Sequence, residues 1–251
     1  MVFWIIIPIL FSSISFIGSW AVYGLALANK HVCPLNNWEY RNSCQNTSNT
    51  SELCCTDANI PMISTCGTNE PENSLFTATL NAGSFLFLLL CIFHHAHILD
   101  RNSSYAIVSR VALFFGCVTA FGAFVAGNCN PGSVRLLHYM GAAVSFVSLC
   151  FYALIVTFLT WRCYISGLEH ILAPIRMIST VIQSFSTILY IVFFLQTEHT
   201  YLHLAAIFEW ILGTNLQFFI LTYITEFSFF STPMLALLIK TKDEEKSLIL
   251  S

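Results

Sequence analysis

Charge is what this chain lacks. Lys and Arg number 10 and Asp and Glu 13 among 251 residues, 9% of the chain, against roughly 25% in soluble domains. Hydrophobic residues make up 56%, so these few charges cannot clothe a water-soluble surface. A net charge of −3 argues against nucleic-acid binding, which requires a basic face. Phosphate-cradling Gly-rich loops, Gly-x-Ser-x-Gly elbows and internal repeats are also missing, which weakens the case for nucleotide-dependent or serine-hydrolase chemistry. The start, MVFWIIIPIL, has no basic residue ahead of an apolar run that continues to about residue 27. That run is too long for a cleaved signal peptide and is expected to stay as a first membrane helix.

Long apolar runs are what the chain has. Crossing about 30 Å of hydrocarbon takes roughly 20 residues, and six runs qualify: about 2–27, 75–97, 105–127, 136–161, 177–196 and 204–226. The expected fold is an all-α membrane protein, a six-helix transmembrane bundle over residues 1–240 with a short cytoplasmic tail at 241–251. Ala112, Gly116 and Ala120, followed by Ala123 and Gly127, line the third run, and Gly141, Ala142, Ala143 and Ser145 open the fourth. Small residues at such spacing let helices approach closely in lipid. Pro131-Gly132 marks a tight turn between these two runs.

One connection is long. Residues 28–74 contain five cysteines, Cys33, Cys44, Cys54, Cys55 and Cys66, and two N-x-[ST] sequons, at Asn46 and Asn49. Disulfides and N-glycans both form in the secretory lumen or outside the cell, so this is expected to be a stapled, glycosylated outer loop. Counting basic residues gives the same orientation. With both termini cytoplasmic, the inner segments hold Arg101, Arg110, Arg162, Arg176, Lys240, Lys242 and Lys246, and the outer ones only Lys30, Arg41 and Arg135. A third sequon, at Asn102, then falls on the cytoplasmic side and is a chance match. Five loop cysteines leave one over, and Cys129 is the only other cysteine in an outer segment.

Polar side chains within the spans ask for a reason. Glu209, Gly213 and Gln217 form a stripe on the sixth run, with Glu209 about five residues in. Thr180, Gln183, Ser184 and Thr187 form another stripe on the fifth run. Asn81, Asn128 and His138 lie at the same depth as Glu209, in one outer layer. The plainest reading is an interhelical hydrogen-bond network, with His138 as a partner for Glu209. A cavity for lipid headgroups or ions and a catalytic site are the alternatives. His94, His95 and His97 lie across the bilayer from His138 and cannot join it around one metal. No metal or cofactor is expected.

Several short motifs run in order along nearly the whole chain. They are Gly18-Ser19-Trp20-Ala21-Val22-Tyr23, His31-Val32-Cys33-Pro34 with Asn37-Trp38, and Cys54-Cys55-Thr56. Ile60-Pro61, Ile63-Ser64 and Cys66-Gly67 follow, then Asn81-Ala82-Gly83, Gly127-Asn128, Leu137-His138-Tyr139 with Gly141-Ala142, and Glu209-Trp210. In these the chain resembles the FRAG–DRAM–Sfk family of six-helix proteins, and within it the transmembrane protein 150 group. The resemblance implies regulation rather than chemistry. Members help place phosphatidylinositol 4-kinase at the plasma membrane, affect phospholipid asymmetry or modulate autophagy from lysosomal membranes. One relative is linked to mechanically activated currents, and a distant branch acts in GPI-anchor lipid remodelling. Two departures stand out. The family's extra loop cysteine is Ser74 here, which suggests that Cys129 takes its place and ties the loop to the third helix; a free or intermolecular thiol is the alternative. The long polar tail of the relatives is short here.

The expected function is thus a non-enzymatic regulator of lipid signalling or autophagy at the plasma membrane and endosomal and lysosomal membranes. Its expected partners are membrane lipids and a phosphatidylinositol 4-kinase scaffold complex, with no nucleic acid. A channel or transport component and a lipid-remodelling enzyme are the alternatives. The tail carries Glu244 four residues before Leu248-Ile249, an acidic dileucine pattern of the kind clathrin adaptors read in an extended chain.

Overall fold

With no water in hydrocarbon to bond the backbone, an apolar run must satisfy its N–H and C=O groups internally, and here each becomes a helix. The computed structural model describes residues 3–44, 54–163, 167–231, 233–236 and 238. The sequons at Asn46 and Asn49 and the tail motif of Glu244, Leu248 and Ile249 lie outside the described residues. Six long helices, α1 (Ile6–Ala28), α3 (Glu72–Arg101), α4 (Ala106–Asn128), α5 (Arg135–Cys163), α6 (Gly167–Phe194) and α7 (His199–Leu221), carry the six spans, with α8 (Tyr223–Ser228) continuing α7 after a break at Thr222. A single turn of helix, α2 (Ile63–Cys66), lies in the long loop.

Two spans begin earlier than hydropathy suggests. α6 starts at Gly167, with Pro174 inside it, rather than near 177. α7 starts at His199 rather than 204. In both cases polar residues that end the apolar run find protein partners and stay helical: Arg176 and His203 are each fully buried. Glu209 therefore lies ten residues into its helix, ~15 Å at 1.5 Å per residue, and not the shallower position expected.

The long helices form a closed ring. α1 packs on α3, α3 on α4, α4 on α5, α5 on α6, α6 on α7 and α7 back on α1. At the α4–α5 contact a side chain on Gly122 would lie 2.7 Å from the Gly141 carbonyl oxygen and the Ser145 nitrogen, so these backbones touch. The small residues of α4 serve two neighbours: Gly116 backs onto Cys91 and Gly127 onto Leu80, both on α3.

At the loop end the chain is stapled twice, Cys33–Cys55 and Cys44–Cys54. Cys66 and Cys129 are free thiols, a correction to the expected tie between the loop and the third span. The Cys66 thiol is instead packed as a small apolar group among Val22, Tyr23, Phe76 and Trp210. A hydrogen bond makes the tie, Asn130 Nδ2 donating to the Thr68 carbonyl at 2.8 Å, and next to it Thr77 Oγ1 of α3 donates to the Gly127 carbonyl of α4 at 2.8 Å.

Candidate functional site

The ring leaves space on its axis near the loop end. A chamber of about 160 Å³ is lined by α1, α3, α4, α5 and α7, with Ile63 and Ser64 of α2 at its loop end. Small residues create the room: Gly83, Ala120, Ala123, Ala142 and Gly213 all line it. Glu209, Gln217 and His138 supply the polar wall, with hydroxyls that include Ser15, Thr79 and Ser145. Toward the other end, here called the tail end, the Phe11 and Phe87 rings close the floor. They contact each other at 5.9 Å, and Phe87 meets Tyr152 at 5.2 Å.

Glu209 holds the cap. Its Oε2 accepts the Ile63 backbone N–H at 3.0 Å, and the Ser64 amide and hydroxyl also bond to it. These are N-terminal donors of α2 that would otherwise be orphaned. Next to it on the chain, Trp210 Nε1 donates to the Pro61 carbonyl at 2.9 Å. The expected partnership with His138 is absent. His138 Nδ1–H is shared between the carbonyls of Ala126 at 2.8 Å and Cys129 at 2.9 Å, so it fastens the α4–α5 turn, and the neutral ring keeps Nε2 as an acceptor. Asn81 and Asn128 bond each other at 2.6 Å, but Asn128 is exposed on the flank of the ring and neither lines the chamber. Gln217 does line it; its backbone carbonyl accepts from Ser12 at 3.0 Å, while its side-chain Oε1 is buried without a partner.

The stripe on α6 does not meet the Glu209 stripe. Gln183 Oε1 accepts from Asn215 Nδ2 at 2.9 Å, and Ser179 Oγ donates to Asn215 Oδ1 at 2.9 Å. Thr180 turns to Thr157 of α5 at 2.9 Å. The helical period puts Asn215 on the other side of α7 from Gln217, a position the apolar run gave no cause to single out.

Two further polar clusters were missed from sequence. At the tail end Arg176 forms a two-pronged ion pair with Glu226, 2.9 and 2.7 Å, and also bonds Thr160 and Thr222. Its guanidinium lies 4.3 Å from the Tyr223 ring centre, and Tyr223 bonds Tyr152 at 2.7 Å. In sequence Arg176 reads as an inner-side charge; the signal available is a lone basic residue between apolar runs, matched by an acid at the end of the last one. At the loop end Tyr40 donates to His203 Nδ1 at 2.6 Å, and His203 Nε2 donates to the Leu35 carbonyl at 3.0 Å. Burial pushes the Tyr40 phenol up to about 12. His199 bonds Asp57 and Asn42, so the loop is docked onto the start of α7. His95 bonds Ser109 at 2.7 Å, and among the described residues no group of three or more His, Cys, Asp or Glu is placed to hold a metal ion.

The Frag1/DRAM/Sfk1/Cwh43P N-terminal domain matches residues 3–230. The chain belongs to that family. A relative in Xenopus laevis, transmembrane protein 150A, is 35% identical over 232 residues, covering 91% of this chain and 85% of its own. The Homo sapiens protein of that name is 33% identical over 238 residues, 94% of this chain and 88% of its own. A Danio rerio relative named modulator of macroautophagy TMEM150B is 27% identical over 209 residues, 83% of this chain and 79% of its own. No solved structure matches. This Frag1-family chain is a multi-pass membrane protein.

Proposed function

We propose that this protein is a non-enzymatic regulator of membrane lipid signalling and autophagy, acting by placing a phosphatidylinositol 4-kinase scaffold at the plasma membrane and cycling to endosomal and lysosomal membranes. The observation that carries the reading is the packed tail half of the ring. Below the chamber floor the axis is filled by Tyr152, Tyr223, Phe227 and Phe230, each nearly or fully buried. The polar groups on α6 and α7 thus bond each other and do not join into a continuous wet path, which disfavours the channel reading. The macroautophagy role named for the Danio rerio relative supports the autophagy side of the proposal.

In this reading the doubly stapled loop lies outside the cytoplasm, since disulfides persist in oxidising compartments, with glycans on Asn46 and Asn49. Both termini then face the cytoplasm, where Glu244, Leu248 and Ile249 serve as a clathrin-adaptor signal. The test is affinity purification of the full chain from cell membranes with quantitative identification of what accompanies it. Enrichment of a phosphatidylinositol 4-kinase scaffold or of autophagy factors is the expected result. Ion conductance from the purified chain alone in liposomes would overturn the regulatory reading.

A further inference from the structure

The lipid-facing side of α7 is recessed. α1 and α6 stand as walls on either side of it, through Trp20 and Ile182, and α7 forms the floor, through Ile207, Ile211, Thr214 and Phe218. This slot holds about 480 Å³, three times the volume of the chamber. It opens sideways into the membrane: Phe218 is 65% exposed, Trp20 43%, Ile182 40% and Ile211 36%. Leu35 closes its loop end. The Leu35 N–H donates to Tyr23 of α1 at 2.9 Å and its carbonyl accepts from His203 of α7 at 3.0 Å, so the roof is pinned to two helices. The four floor residues follow one another at four, three and four residues, the spacing of a seam that packs along a second helix at a shallow angle. Glu209, Gly213 and Gln217 occupy the opposite face of α7, on the chamber. The outward seam is therefore not spent on closing the ring.

Thr214 sets this seam apart from a plain apolar face. It lies fifteen residues from His199 and fourteen from Ser228, the ends of its span, and so near the middle of the hydrocarbon. The hydroxyls of Thr119, Thr160 and Thr187 each bond the carbonyl one turn back. That of Thr214 has no hydrogen-bond partner among the described residues, and its oxygen remains accessible at the slot. The amide of Asn215 next to it is saturated by Ser179 and Gln183. We propose that the slot docks one transmembrane helix of a partner protein, which carries an Asn, Gln, Ser or Thr at mid-depth to bond Thr214. Lipid tails would fill the slot but bring no polar group to that depth, whereas polar side chains there are a recurrent glue between helices. Two copies of this chain cannot pair their slots, because each α7 floor lies recessed between its walls. No lining residue is charged, so the docked segment carries no charge at that level. The assignment depends on the six spans and not on which complex the chain regulates.

The probe is a transmembrane peptide of roughly 20 leucines with one Asn at its centre and a diazirine-bearing leucine one turn away. A second peptide has Leu in place of the Asn. Each is reconstituted with the full chain in phosphatidylcholine vesicles, dilute enough to stay monomeric, and irradiated, and the cross-linked residues are mapped. We expect saturable cross-links to the floor and walls of the slot. The Asn peptide should give about three- to tenfold more of them than the all-leucine peptide, the range of one interhelical hydrogen bond in lipid. Thr214→Val keeps the size and removes a hydroxyl that bonds nothing else, so it should bring the Asn peptide down to the level of the other. Ile211→Trp should lower both by filling the slot. Equal yields from the two peptides would mean an occupant no different from a lipid tail and would overturn the proposal. Cross-links spread over outer positions such as Ile178 and Phe185, or a yield unchanged in Thr214→Val, would overturn it as well. Unlabelled full chain that competes as well as unlabelled Asn peptide would assign the slot to a second copy, against the proposal. The comparison of two peptides needs no variant, so the test stands even if a substitution fails to fold.

Discussion

Toward the tail end, Arg176 and Glu226 face each other at 2.7 Å, with Thr160, Thr222 and Tyr223 filling the remaining bonding positions. Toward the loop end, Glu209 has no cation among the described residues; backbone and hydroxyl donors from α2 answer it, and beside it lies a chamber lined in part by Gln217. The first arrangement is closed on itself and packed in aromatic side chains. The second borrows its partners from a loop, which disulfides, hydrogen bonds and the packing of Val32, Ile60, Met62 and Cys66 hold against the helices. A buried polar group that is fully paired rigidifies its surroundings, whereas one left open or paired with a separable segment is where a ligand or a movement can act. The tail half is therefore the clamp of the ring and the loop half its receptive end.

The sharpest way to break this contrast is to cut the clamp. Arg176→Leu or Glu226→Leu alone should cost about 3–5 kcal/mol, because each strands a buried charge. The double variant, Arg176→Met with Glu226→Leu, should recover most of that loss. Thermal unfolding of detergent-purified protein, followed by tryptophan fluorescence, reads both. A double variant as unstable as the singles would mean that the pair does more than satisfy itself.

A smaller effect is expected at the receptive end. Glu209→Leu should cost about 1–3 kcal/mol by leaving the α2 donors unanswered, and Glu209→Gln less than about 1 kcal/mol because its amide oxygen still accepts. Yield, surface delivery and protease sensitivity of the loop are the measurements. Loop cleavage that is unchanged in Glu209→Leu would remove the carboxylate from its capping role.

Smaller still is the loop's second anchor. Tyr40→Phe removes the donor to His203 and should cost about 0.5–1.5 kcal/mol, seen as faster hydrogen exchange in residues 35–41. A phenol held at about 12 in the folded chain against an ordinary value near 10 stays protonated in both states below pH 10. Its contribution is thus complete there and is lost as pH rises from 10 toward 12, so hydrogen exchange should be flat between neutral pH and about 10 once corrected for intrinsic rates.

The last test changes stability least. Burial pushes the Cys66 thiol up, so thiolate is scarce near neutral pH, while Cys129 is partly exposed. In the folded chain Cys129 should be alkylated at least about tenfold faster than Cys66, and mass mapping of the two peptides measures the ratio. Fast labelling of Cys66 would show the loop lifting from the ring.

Composition and hydropathy by themselves determined six spans, their order and the stapled loop, because a chain with so few charges and six runs of this length has no other way to satisfy its backbone in lipid. Family membership was legible too, in short motifs such as Cys54-Cys55-Thr56 and Glu209-Trp210. Glu209, His138 and Gln217 stood out as polar residues in apolar surroundings. What each one faces was decided only by the tertiary structure. The closed ring turned Glu209 to the loop rather than to His138 and put Asn81 and Asn128 on the flank. It also brought Arg176 to Glu226 across 50 residues of chain and left Cys66 a buried free thiol. Helical period tells which residues share a face, but in lipid the faces of six similar helices are sorted by packing of small residues and by polar pairs far apart in sequence, and neither leaves a local mark.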